Sequence, residues 1–155
     1  MNETEQSKRA RVLPPVYLLI AMTLMLALHF LFPVARLIPS PWNALGVILL
    51  LLGIDLELTA DGLLHKLGTT VNPDQEPSIL VTTGVYAISR NPMYLGFVLL
   101  LAGIAAILGT LTPFLILPVF TEVIDKMFVS LEESRLEQKF GPAFLAYRQK
   151  VRRWI

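Results

Sequence analysis

Carboxylates and cations at the edges of long apolar runs are the residues of this sequence whose placement first asks for a reason. Asp55, Glu57 and Asp61 close one such run; Glu122, Asp125 and Lys126 close another, with Glu132 and Glu133 just beyond. A charged side chain within an apolar segment is expensive, and it usually faces a bundle interior or a water-filled cavity, where it can hold a polar ligand. On an uninterrupted helix Glu122, Lys126 and Glu133 fall within about 40° of one another at 100° per residue, which makes one ionic stripe. A solvated helix end with an i,i+4 pair between Glu122 and Lys126 accounts for part of that stripe equally well. His29, alone among apolar residues, reads as a packed or hydrogen-bonded side chain, and His65 beside Lys66 as a surface residue. There is no cysteine, which excludes disulfides, thiolate metal sites and cysteine catalysis, and no metal site is expected. G-x-G-x-x-G, P-loop, G-x-S-x-G and H-E-x-x-H patterns are all absent, so a nucleotide-like cofactor would need a different kind of site.

The elements that must position these groups are themselves apolar. The chain has 155 residues, 54% of them hydrophobic and 16% charged, with a mean hydropathy of +0.62. Runs of this kind point to lipid as the solvent. The reading is an all-α integral membrane protein of a single domain, with about four transmembrane helices over residues 13–37, 42–58, 92–109 and 112–130. Met1 to Arg11, with Lys8, Arg9 and Arg11, could serve as the n-region of a signal peptide, but no small-residue cleavage site follows and an uncleaved first span is expected. Pro39, Ser40 and Pro41 form a tight turn with Trp42 at an interface, and Pro118 is expected to kink the fourth span. Residues 59–91, broken by Gly62, Gly68, Asn72, Pro73, Pro77 and Gly84, form a loop long enough to build a site. Gly109 to Pro113 turns the third span into the fourth; small residues such as Gly96, Gly103 and Ala106 let helices approach closely. Residues 131–155 are an amphipathic cytoplasmic segment interrupted at Gly141-Pro142. With both termini on one side, that side receives every lysine and arginine except Arg36, twelve of the thirteen. Such an asymmetry marks a cytoplasmic face, and the C-terminal basic cluster with Trp154 suits anionic headgroups.

Residues 69–96 read TTVNPDQEPSILVTTGVYAISRNPMYLG, and residues 132–154 read EESRLEQKFGPAFLAYRQKVRRW. Together, each beside a membrane span, these segments resemble the isoprenylcysteine carboxyl methyltransferase family of membrane methyltransferases, related to the phospholipid N-methyltransferases. The resemblance covers Thr69 to Trp154, while the first two spans match only in character. It implies S-adenosylmethionine as methyl donor, bound at the cytoplasmic face by the last spans and flanking loops. The cofactor-binding positions it implies are Ser78, Ile79, Leu80, Val81, Tyr86, Asn91, Pro92, Met93, Tyr94 and Glu132. These types suit a ligand bearing an ammonium, a sulfonium and an adenine, which wants a carboxylate, carbonyl oxygens and aromatic faces. Arg90, Lys126 or Glu133 would orient the acceptor.

Two positions depart from the family. Its R-H-P is Arg90-Asn91-Pro92 here, and asparagine cannot carry a charge. The eukaryotic prenylcysteine enzymes place an acceptor-binding arginine four residues before the matching glutamate, where this chain has Phe128. The implied function is methyl transfer to a lipophilic or membrane-associated carboxylate, amine or thiol, with membrane lipid and no nucleic acid as partners. A sterol-reductase-like enzyme using NADPH, or a small channel or transporter subunit, are the alternatives. The oligomeric state and the acceptor's identity are left open by the sequence.

Overall fold

A computed structural model describes residues 13–69 and 77–155. Lys8, Arg9, Arg11, Asn72 and Pro73 lie outside the described residues. Helix α1 (Pro14–Leu31) begins with prolines in its first turn, where the amides have no intrahelical partner anyway. It stops at Phe32 (φ −138°, ψ 62°) because Pro33 disfavours helical geometry in the residue before it. The helix is therefore shorter than the expected 13–37 segment. The chain after it runs alongside the end of the third helix, with Leu37 and Ile38 N–H donating to Gly109 O and Leu111 N–H to Ala35 O.

A short 3-10 turn (Trp42–Leu45) leads into α2 (Gly46–Lys66). The last two turns of α2 occupy residues expected to be loop, Gly62 included. A second 3-10 turn (Gly84–Ala87) precedes α3 (Pro92–Leu108), which Gly109 ends in the left-handed region at φ 71°. Then follow α4 (Leu111–Phe114), α5 (Ile116–Ile124), a π-helical turn (Asp125–Val129), α6 (Ser130–Phe140) and α7 (Pro142–Lys150). The break between α4 and α5 lies at Leu115, just after the residue whose carbonyl Pro118 leaves without an amide donor; the proline ring also crowds that Phe114 carbonyl.

The described residues form helices and turns and no strand. Among them α1 alone is both long and apolar enough to cross a bilayer by length and composition. The apolar α3 is shorter, and α2 carries Asp55, Glu57 and Asp61 in its second half.

Two contacts set the architecture. Helices α2 and α3 run antiparallel through two glycine pairs spaced seven residues apart, Gly46 against Gly103 and Gly53 against Gly96. A Cβ on Gly53 would stand 2.5 Å from the Leu100 nitrogen, and one on Gly103 2.5 Å from the Leu50 nitrogen, so the backbones touch. On the other flank α1 packs across α3 and α5, with Met25, Leu101 and Ile124 fully buried. Tyr17 meets Phe128 edge to face at 5.4 Å, and Tyr94 lies 6.3 Å from the same ring.

Candidate functional site

A cavity of about 510 Å³ forms where the start of α1, the end of α2, the start of α3 and the first turns of α6 meet. Its volume lies within the ~300–1,000 Å³ typical of small-molecule pockets. The sequence-derived positions Ile79, Leu80, Val81, Tyr86 and Asn91 through Tyr94 line it, together with Arg90 and Glu132. Glu57 and Asp61 of α2, Arg135 and Leu136 of α6, and Tyr147 complete the wall. Glu57 and Asp61 were among the carboxylates that the sequence marked at the end of an apolar run, whereas Arg135, Leu136 and Tyr147 carry no sign in their spacing that they converge here.

Of the three carboxylates lining this cavity, Glu132 is more deeply buried than Glu57 and lies on α6. The Tyr94 hydroxyl donates to its Oε1 at 2.5 Å. Burial pushes its carboxyl up to about 7, although the Tyr94 hydrogen bond and nearby Arg135 favour the charged form. Its neighbour Glu133 is held below the usual carboxylate range. Burial pushes it up, but hydrogen bonds from Arg153 and Arg90 more than offset that.

Arg90 is a structural clamp. Its Nε and Nη2 donate to Glu133 Oε1 at 2.9 and 2.8 Å, and its Nη1 to the carbonyls of Val151 and Arg148 at 2.7 and 3.2 Å. The two charged side chains are 8% and 7% exposed. The backbone around Arg90 is tied to the same C-terminal segment. Arg90 N–H donates to Arg152 O, while Ser89 Oγ and Asn91 Nδ2 both donate to Arg153 O. Tyr147 Oη adds a 2.6 Å bond to Tyr86 O. Segment 147–153 thus straps the loop before α3, and Asn91 serves that strap while facing the cavity.

Three sequence-derived positions stand apart from the cavity. Ser78 turns to the loop, its N–H donating to Thr69 Oγ1 and its hydroxyl to Gly68 O. Glu133 lies behind the cavity, between its two arginines. Lys126 sits on the surface, 2.6 Å from Glu122, with both side chains more than 60% exposed. The ionic stripe expected of a continuous helix is broken for a physical reason. The π-helical turn absorbs one extra residue between Lys126 and Glu133, which carries Glu133 about 100° off the stripe and into the interior. His29 is bonded as expected, its Nδ1 lying 2.8 Å from Thr110 Oγ1, and His65 is an exposed partner of Asp61. Among the described residues no three potential ligands gather into a metal site.

With this geometry in view, comparison with known proteins is decisive for the family. Residues 42–143 match the profile described as phospholipid methyltransferase. The chain belongs to the phospholipid methyltransferase family. A protein-S-isoprenylcysteine O-methyltransferase of Schizosaccharomyces pombe is 34% identical over 90 residues, covering 56% of this chain and 36% of that enzyme. The enzyme of the same name from Saccharomyces cerevisiae is 33% identical over 117 residues, covering 70% of this chain and 46% of its own length. An uncharacterised Haemophilus influenzae protein is 40% identical over 63 residues, 41% of this chain and all of the relative. The chain thus spans less than half the length of the two yeast enzymes. No solved structure matches. Membership of this family favours methyl transfer over the reductase and channel readings.

Proposed function

We propose that this protein transfers a methyl group from S-adenosylmethionine to a lipophilic acceptor at the cytoplasmic face of a membrane. The observation that carries the reading is the mostly buried carboxylate Glu132, hydrogen-bonded to Tyr94, in a cavity of about 510 Å³ lined largely by the two segments that resemble the family. The residues present fit the methyl donor. Glu132 would hold its ammonium, Tyr86 and Tyr94 offer rings to the adenosine, and the segment Ile79–Val81 offers backbone groups. When bound, the cofactor supplies an electrophilic methyl group on sulfur, which a nucleophile takes in an in-line displacement.

The protein's own contribution is then position and dryness. Tyr94 and Phe97 line the cavity with aromatic rings that would help to exclude water once the ligands fill it, and fixed groups would orient both partners before they react. Arg90 and Glu133 act by holding the cavity's frame, and Lys126 is not part of it. The apolar start of α1 faces the acidic end of α2 across the cavity, and the space between them is the proposed lateral route for the acceptor. Phe128, buried behind the cavity, packs its ring against Tyr17 and against the cavity residue Tyr94. We further propose a multi-pass topology in which α1, the apolar first part of α2, α3 and the segment from α4 to the π-helical turn cross the membrane with both termini cytoplasmic, on the strength of the one-sided charge.

The test is transfer itself. Membranes containing the protein, given cofactor labelled in the methyl group, should pass label into an organic-extractable or membrane-bound product. Membranes containing Glu132→Ala should not. Label no higher than in membranes lacking the protein would overturn the proposal.

A further inference from the structure

The two carboxylates that share Arg153 are eight residues apart, and a regular helix would not bring them to one guanidinium. Arg153 Nη1 donates to Asp125 Oδ2 at 2.9 Å, and its Nη2 to Glu133 Oε2 at 2.6 Å. Eight residues of α-helix turn through 800°, which leaves the two side chains about 80° apart around the axis. The chain between them is not α-helical. The Ser130 amide donates to Asp125 O, five residues back, which closes the π-helical turn Asp125–Val129. Absorbing one residue, that turn makes the eight-residue interval rotate like seven, and Asp125 and Glu133 come within about 20° of one face.

Glu132 inherits its direction from the same adjustment. Were the turn α-helical, everything after it would be rotated by about 100° relative to α5, and Glu132 would leave Tyr94. A π-turn costs stability relative to an α-turn and persists where surrounding contacts over-determine it. Here such contacts surround the turn. Arg153 grips Asp125 at the start of the turn and Glu133 one helical turn beyond its end, Phe128 and Val129 within it are buried, and Arg90 grips Glu133 from the other side.

We infer that Arg153 is a positioning residue which, by clamping Asp125 and Glu133 across the π-turn, aims Glu132 into the cofactor cavity. The inference rests on the proposed role of Glu132, and it assigns Arg153 no contact with cofactor or acceptor. Arg153 does this from a segment, Val151 to Arg153, whose carbonyls already bind Arg90, Ser89 and Asn91. The clamp thus joins both halves of the cavity.

Binding of S-adenosylhomocysteine in detergent, measured against pH, tests this. Arg153→Gln should weaken binding by about tenfold or more, the scale of one charge-assisted hydrogen bond at a buried carboxylate, and Arg153→Lys should recover part of the loss. Because Arg153 no longer neutralises Glu133, the pH midpoint for binding should also rise in Arg153→Gln, a change that general loosening would not produce. Deleting Met127, half exposed within the turn, should abolish binding by restoring the α-helical register, whereas Met127→Ala should bind as wild type does. Where Arg153→Gln does not fold, Asp125→Asn decides the matter. It leaves the Arg153–Glu133 pair intact and should still weaken binding severalfold. Wild-type binding retained within twofold, with an unmoved pH midpoint, in a folded Arg153→Gln or in Asp125→Asn would overturn the inference alone. A wild-type protein that does not bind would overturn the cofactor reading instead.

Discussion

Glu132 and Glu133 are adjacent in sequence, and their surroundings pull their protons in opposite directions. Glu132 is pushed up to about 7 by burial, while two guanidinium groups hold Glu133 down. The sign of the first shift gives two predictions. Between the unfolded value near 4.5 and about 7, the folded state holds the Glu132 proton and the unfolded state does not. Its contribution to stability is therefore full below 4.5 and is lost as pH rises through 7. At pH 8 the cofactor-free protein should consequently gain from Glu132→Gln, with a thermal midpoint higher by roughly 2–4 °C for each kcal/mol relieved. A lowered midpoint would show that the buried charge is not a cost. The second prediction concerns binding. The ligand's ammonium needs the ionised carboxylate, so affinity for S-adenosylhomocysteine should level off above about pH 8 and fall towards tenfold per unit below about pH 6. Lys126→Ala, by contrast, should leave activity within about twofold, because its exposed pair with Glu122 is worth at most ~0.5 kcal/mol. The sequence offered Glu132 and Tyr94 through the family resemblance. It gave no sign of Arg153, whose part depends on a fold-back that no local pattern encodes.

At the scale of elements, the glycine pairs between α2 and α3 and the π-turn between α5 and α6 are the two departures from ordinary helix packing. The small residues of the third span were visible in the sequence, and close packing was the natural reading. Their partners Gly46 and Gly53 could be read only once the antiparallel register was known. Gly53→Leu should separate the helices, because the added Cβ meets the backbone of Leu100 rather than a movable side chain. A loss of ~1–3 kcal/mol or more is expected, measured as a lowered thermal midpoint in detergent, while Gly62→Ala at an open position should not destabilise. The π-turn was not legible at all. Asp125-Lys126-Met127-Phe128-Val129 has no composition that separates it from an α-turn, and tertiary contacts select it. That is why the continuous-helix stripe failed.

For the molecule as a whole, helix positions near 92–108 and beyond 112 followed from apolar length and proline placement. The extension of α2 to Lys66 did not, because Gly62 reads locally as a breaker, whereas Ala60 in the same stretch is buried in a cluster with Val81 and Tyr86. Arg36 pairs with Thr110 at one end of α3, and Arg90 stands before the other, which puts α3's length of about 25 Å between them. The chain has no cysteine, so single-cysteine variants report topology against a clean background. A membrane-impermeant maleimide should label Arg36→Cys and His65→Cys from opposite sides of the membrane; labelling from one side would contradict the proposed topology. If Glu132 anchors the methyl donor, calorimetry with S-adenosylhomocysteine in detergent should show it. One ligand should bind per chain, with a loss of at least about tenfold in affinity in Glu132→Ala. Absence of binding to the wild-type protein, or binding undiminished by the substitution, would contradict it.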